Sequence, residues 1–251
     1  MNTGLTSVEV RSLAIDGQGR LFAGLPLAGI FRSADGGESW TIVNSSPARP
    51  GGGLVITAKG HVLAGSYDGV FRSTDGGERW TQVYQDRTRS ASIYTLAVSP
   101  AGHVFAGGGW GVLRSRDNGE TWTAVSSRLS ANPEIVSLAI NASGHLFAGS
   151  ARAGVFRSTD EGDSWRSVST ASPLSKLPVW ALVVNARGDV FAGTEGGAFR
   201  STDNGDTWVA VDTALPGLPI HALAIDSDGH LLAGTAGNGV FRSAQSTTGG
   251  M

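Results

Sequence analysis

The six-residue segment Gly-Arg-Leu-Phe-Ala-Gly at 19–24 returns, with small changes, at 60–65, 102–107, 144–149, 188–193 and 229–234. The starts lie 41, 42, 42, 44 and 41 residues apart. A second pattern, Ser-x-Asp-x-Gly-x-x-Trp, keeps the same period at Ser33–Trp40, Ser73–Trp80, Ser115–Trp122, Ser158–Trp165 and Ser201–Trp208. Two patterns locked to one period mean that the chain is built from copies of one supersecondary unit, and a unit of about 40–45 residues is the size of a propeller blade. Nothing interrupts the period, so the expectation is a single domain over 1–251. Its repeats fall near 10–50, 51–91, 92–134, 135–177, 178–218 and 219–251.

Each repeat reads as four short strands. In the third, Tyr94–Ser99 is an apolar run closed by a Pro-Ala-Gly turn, and His103–Gly108 follows it. After a Gly-rich turn come Gly111–Arg116, the turn signal Asp117-Asn118-Gly119, and a last strand over Thr121–Ser126. No segment spaces its apolar residues at i, i+3, i+4 and i+7 for the length of a helix. The sequence therefore predicts an all-β fold, a six-bladed β-propeller. The sixth repeat departs from the rest. After Gly239–Ala244 it runs through Gln245 to Met251 with neither box nor Trp-led strand. The first inner strand begins near Val10, which leaves residues 2–9 enough length for a link but not for a further strand. A sixth blade of three strands is expected, with an open outer edge of the kind that recruits another chain, including a second copy.

The eight-residue box has a local logic. Its Asp accepts hydrogen bonds from turn N–H groups, its Gly takes a positive φ, its Ser hydroxyl bonds the same turn, and its Trp opens the fourth strand with a large ring to bury. A catalytic acid is needed once, whereas a fold device is needed in every blade. Ser33, Asp35, Gly37 and Trp40 are accordingly read as structural, and so are Ser73, Asp75, Gly77, Trp80, Ser115, Asp117, Gly119, Trp122, Ser158, Asp160, Gly162, Trp165, Ser201, Asp203, Gly205 and Trp208.

Composition narrows the function. A formal net charge of −2 gives no electrostatic case for nucleic acid or an anionic membrane. There is no Cys, hence no disulfide or thiolate chemistry, and no apolar run approaches the roughly 20 residues of a membrane span. The first residues, MNTGLTSVEV, lack the basic and apolar regions of a signal peptide. His61, His103, His145 and His230 share one repeat position with Arg20 and Asp189, an exchange no metal site accepts, so neither metal nor cofactor is expected. Gly-rich pieces such as Gly107–Gly109 fall between strands, not before helices, and are turns rather than phosphate loops.

The runs Gly69–Trp80 and Gly154–Trp165 resemble bacterial neuraminidase (BNR, or Asp-box) repeats, and the resemblance covers nearly the whole chain. Such repeats occur in sialidases, sortilin-type receptors, photosystem II assembly factors and xyloglucanase-type glycoside hydrolases. The resemblance implies the fold strongly and the activity weakly, because unrelated activities share the box; it favours an extracytoplasmic setting. A sialidase would need an arginine cluster, a Tyr–Glu nucleophile pair, an acid/base Asp and an Arg-Ile-Pro motif. The last is absent, and Arg32, Arg72, Arg114, Arg157, Arg200 and Arg242 all occupy one third-strand position, which suits a structural role. The xyloglucanase type needs two propellers and a carboxylate pair across a groove. The expectation is a chain with no catalytic residues.

The two ends of such a blade set differ. The end bearing the first turns and the boxes is nearly uniform between repeats. At the other end, the loop between the second and third strands and the residue eight before each turn Gly change from repeat to repeat. Function on a rigid scaffold sits in such loops. The candidate ligand face is Arg11, Tyr67, Tyr94, Trp110, Arg152, Trp180, Glu195 and His221. Its aromatics suit stacking on a sugar or anchoring a protein partner; Trp180 and Tyr94 also suit plugging a channel mouth. A lectin with a site in every blade would repeat one set, and this chain does not. A protein-interaction or assembly module leads, with a carbohydrate-binding propeller second. A scaffold without a natural ligand, whether engineered or a piece of a longer secreted protein, is third.

Overall fold

The computed structural model describes residues 3–7, 9–44, 52–85, 92–126, 129, 133–170, 172–211 and 217–248. Its strands follow one another as the repeats do. Blade 1 is β1 (Ser12–Ile15), β2 (Leu21–Leu25), β3 (Gly29–Ser33) and β4 (Thr41–Asn44). Blade 2 is β5 (Leu54–Ile56), β6 (Val62–Ser66), β7 (Gly69–Ser73) and β8 (Thr81–Tyr84). Blade 3 is β9 (Ile93–Val98), β10 (Val104–Gly108), β11 (Gly111–Ser115) and β12 (Thr123–Ala124). Blade 4 is β13 (Ile135–Ile140), β14 (Leu146–Ser150), β15 (Gly154–Ser158) and β16 (Arg166–Ser167). A 3-10 turn at Pro173–Lys176 precedes blade 5, which is β17 (Val179–Val184), β18 (Val190–Thr194), β19 (Gly197–Ser201) and β20 (Val209–Ala210). Blade 6 is β21 (Ile220–Ile225), β22 (His230–Thr235) and β23 (Gly239–Ser246). Every sheet pairs its strands antiparallel and in chain order. The chain is a six-bladed β-propeller whose sixth blade has three strands, with β23 as its outer edge among the described residues. Its contacts gather into two compact units, Met1–Ala124 with blades 1 to 3 and Val125–Met251 with blades 4 to 6.

The second strands form the centre of each sheet and are buried on both faces, β6, β10, β14 and β18 throughout. That burial explains why they read as continuous apolar runs rather than alternating ones. Phe22, Phe105, Phe147 and Phe191 are at most 1% exposed. Each such ring contributes roughly 1.5–3 kcal/mol. The Ala-Gly that ends the repeated segment has a packing reason. A Cβ at Gly149 would press on the Ser137 hydroxyl and stand 2.8 Å from the Val179 carbonyl oxygen of the next inner strand. At Gly193 it would stand 2.7 Å from Ile220 Cγ2.

Blades stack within each unit through a repeated pairing. In the first, Leu54 and Ile56 pack on Phe22 and Ile30 of the preceding blade. In the second, Val179 and its neighbours pack on Phe147, Val155 and Val168. The N-terminal residues also pair with blade 1. Trp40 N–H donates to the Thr3 carbonyl at 2.8 Å, and Leu5 packs on Ala23, Phe31 and Trp40. Leu13, whose counterparts Leu54 and Leu96 are buried, is 64% exposed, because no blade precedes blade 1 within its unit. In the second unit Val240 of β23 is 75% exposed, whereas its counterpart Val155 is buried.

Candidate functional site

The uniform end is built from turns that satisfy themselves and then clasp a neighbour. In the box of blade 1, Ser33 Oγ donates to Asp35 Oδ1 at 2.7 Å and accepts from Gly37 N–H at 2.8 Å. Asp35 also accepts from the Ser39 N–H at 3.0 Å and the Ser39 hydroxyl at 2.5 Å. The Ser and backbone N–H bonds recur around Asp75, Asp117, Asp160 and Asp203, and the hydroxyl bond recurs from Thr121, Ser164 and Thr207 but not in the second box, where Arg79 takes that place. Two successive left-handed residues make the turn, at φ 73° and 95° for Gly36 and Gly37 and at 59° and 83° for Asn118 and Gly119. All five carboxylates are thereby held below their ordinary value. In Asp117, burial pushes upward but is outweighed by bonds from the Thr121 hydroxyl and N–H, Ser115 and the Glu120 N–H, which hold it at about 2.

Within the second unit the box Trp also reaches outside its own turn: Trp165 Nε1 donates to the Val125 carbonyl at 2.8 Å, and Trp208 Nε1 to the Val168 carbonyl of the preceding blade at 3.0 Å. The third-strand arginines reach the blade after. Arg32 donates to the Gly76 carbonyl and pairs with Glu78, both at 2.8 Å, and Arg157 donates to the Asn204 carbonyl and pairs with Asp206 at 3.2 Å. Blade 6 has no box to offer Arg200, which pairs instead with Asp189 of its own blade at 2.6 Å. The first turns close on a side chain four residues back: His61 N–H on Thr57, His103 on Ser99, His145 on Asn141, His230 on Asp226. Among the described residues no three of His, Asp and Glu converge as metal ligands.

The other end differs in each blade, and the backbone there has a feature that spacing did not disclose. The inner strands of blades 3 to 6 begin with a bulge, two residues facing one. Register skips Tyr94, Val136, Trp180 and His221 in blades 3 to 6. In blades 1 and 2, Arg11 N–H and Gly52 N–H bond the carbonyls of Gly24 and Gly65, which Ser12 and Gly53 also face. A bulge frees a side chain from the pleat and re-aims it, and the freed residue is the variable one.

In the first unit these residues form two contacts. Arg11 Nη1 lies 3.4 Å from the Tyr67 hydroxyl and its guanidinium pairs with Glu9 at 2.9 Å; Tyr67 is 41% exposed. Trp110 tilts against Tyr84 with ring centres 5.8 Å apart, and its buried Nε1 has no hydrogen-bond acceptor among the described residues. Tyr94 is half-buried on its bulge. In the second unit Trp180 and His221 stack at 5.7 Å with their planes 8° apart, and Trp180 Nε1 donates to Glu195 Oε1 at 2.8 Å. Arg152 pairs with Glu134 at 2.9 Å.

No family model and no curated protein matches the sequence. Solved propellers do match its fold. YCF48 bound to D1 peptide superposes with a TM-score of 0.77 at 16% identity, over 98% of this chain and 82% of that one. The GH74 xyloglucanase of Xanthomonas campestris gives 0.73 at 19%, over 92% of this chain and 44% of that one. PorZ, a surface component of the type-IX secretion system of Porphyromonas gingivalis, gives 0.69 at 21%, over 92% and 38%. The chain thus spans less than half the length of the xyloglucanase. At these identities the likeness is one of fold.

Of the eight candidate face residues, the structure brings Trp180, Glu195 and His221 into one cluster and Arg11 and Tyr67 into one contact. Trp110 and Arg152 find other partners, Tyr84 and Glu134. Glu9, Tyr84 and Glu134 were missed because they sit in connecting segments or at the end of a fourth strand, outside the aligned repeat positions. In blades 3 to 5 the bulged inner strand has six residues where its partner has five.

Proposed function

We propose that this chain is a non-catalytic BNR (Asp-box) propeller that binds a polypeptide segment of a partner protein on its variable end. The observation that carries the reading is the division of labour between the ends. The recurring aspartates and arginines, the residues an enzyme reading would need, are spent on turns and blade contacts. The residues that differ from blade to blade stand on bulges and loops at the opposite end, four of them aromatic. Likeness to a propeller solved with a peptide bound adds weight, as does likeness to a secretion-system component. The edge of β23, unpaired among the described residues, offers a second place for a chain to pair, another copy included.

Panning a phage-displayed random-peptide library on the protein tests this, with a glycan array run in parallel. The reading expects peptides that bind the native protein and lose at least about tenfold in Kd when Tyr67 and Trp180 are changed to Ala. Binding confined to the glycan array would replace it with the carbohydrate reading, and the stacked Trp180 would then serve as a sugar platform.

A further inference from the structure

The cluster on blades 5 and 6 has an unbalanced chemistry. Glu195 is exposed in the loop between β18 and β19, and Trp180 Nε1 holds its Oε1 at 2.8 Å, which fixes the carboxylate at the edge of the indole. Its Oε2 is left over, and among the described residues no Lys, Arg or His forms an ion pair with it. Arg152, the other charged residue of the candidate face in this unit, is already paired with Glu134. Beside the carboxylate, Trp180 and His221 make a flat stacked pair, and His221 is exposed. Both aromatics are bulge residues of adjacent inner strands, so the backbone, not a mobile loop, sets their positions.

From this juxtaposition we propose that Trp180, His221 and Glu195 form a receptor for an arginine side chain of the bound peptide, an inference that rests on the peptide-binding reading above. A guanidinium is the group that meets both features at once. Its planar N–H edge pairs with a carboxylate, and its face stacks on aromatic rings while shedding water more readily than an ammonium does. A lysine would satisfy the charge without the stacking. A sugar would stack but needs an array of donors and acceptors, where this cluster offers one carboxylate and one imidazole.

The test is a titration of the uniformly 15N-labelled protein, following the Trp180 indole N–H resonance, assigned through Trp180→Phe. The probes are N-acetyl-arginine amide, its lysine analogue and the neutral isostere N-acetyl-citrulline amide. The expected result is a saturable shift with arginine, a Kd at least about threefold weaker with lysine, and no saturable shift with citrulline. Glu195→Gln, at an exposed position, should keep the melting temperature and abolish the arginine response. An equal response to citrulline, an unchanged response in Glu195→Gln, or no response to arginine would each overturn the inference. Because the probe is a single amino acid, such a failure leaves the library result standing. A library that yields no peptide defeats the broader reading by itself.

Discussion

At the scale of single residues, the box aspartates act through ionisation. Asp35, Asp75, Asp117, Asp160 and Asp203 are all lowered from an ordinary 3.8 by hydrogen bonds that favour the carboxylate over the neutral acid. A group whose folded value is depressed contributes stability above its unfolded value, and that stability is lost as pH falls towards the folded one. The melting temperature is therefore expected to hold down to about pH 4 and to drop steeply between there and about pH 2, the value of Asp117. In Asp117→Asn the protein should melt lower at pH 7, with a shallower acid drop. Differential scanning calorimetry across that range checks both; a flat profile below pH 4 would mean that the turns do not depend on charge. These residues were fully legible in the sequence, because the turn chemistry is local and five copies stood side by side. Glu195 was legible as variable but not as unpaired, since nothing local to it says which cations come near.

At the scale of the strand, the repeated Ala-Gly is where blades approach most closely. Gly149→Ala is expected to destabilise by roughly 1–3 kcal/mol, as overpacking does, because the new methyl meets the Val179 carbonyl oxygen, a backbone atom. Urea unfolding checks it, and a stability unchanged within about 0.5 kcal/mol would show that the inner strands separate more freely than described. Strand order and the three strands described for blade 6 followed from spacing, because the repeats keep nearly one length and the sixth lacks a box. The bulges did not follow. They set two inner-strand residues against one residue of the partner, a backbone irregularity that side-chain spacing does not announce. The N-terminal pairing of Thr3 with Trp40 escaped for a similar reason, since it occurs once and no repeat announces it.

At the scale of the whole molecule, one end of the blades carries the repeated turns that hold the fold, and the other is the proposed place of the partner. The fold was readable because stability is needed in every blade and so is written several times. The candidate site was reached only by elimination, as what the repeat leaves over, and its proposed chemistry comes from the three-dimensional meeting of Trp180, Glu195 and His221. The most direct measurement pairs melting with peptide binding in two variants, one at each end. Trp208 is 7% exposed and its indole N–H donates to Val168 and Gly205. Trp208→Ala should cost roughly 3–5 kcal/mol while leaving the Kd for a library-selected peptide unchanged below its melting temperature. His221→Ala, at an exposed ring, should stay within about 0.5 kcal/mol of the native stability and weaken the same Kd at least about tenfold. The opposite pattern, binding lost with Trp208 and stability lost with His221, would contradict the account.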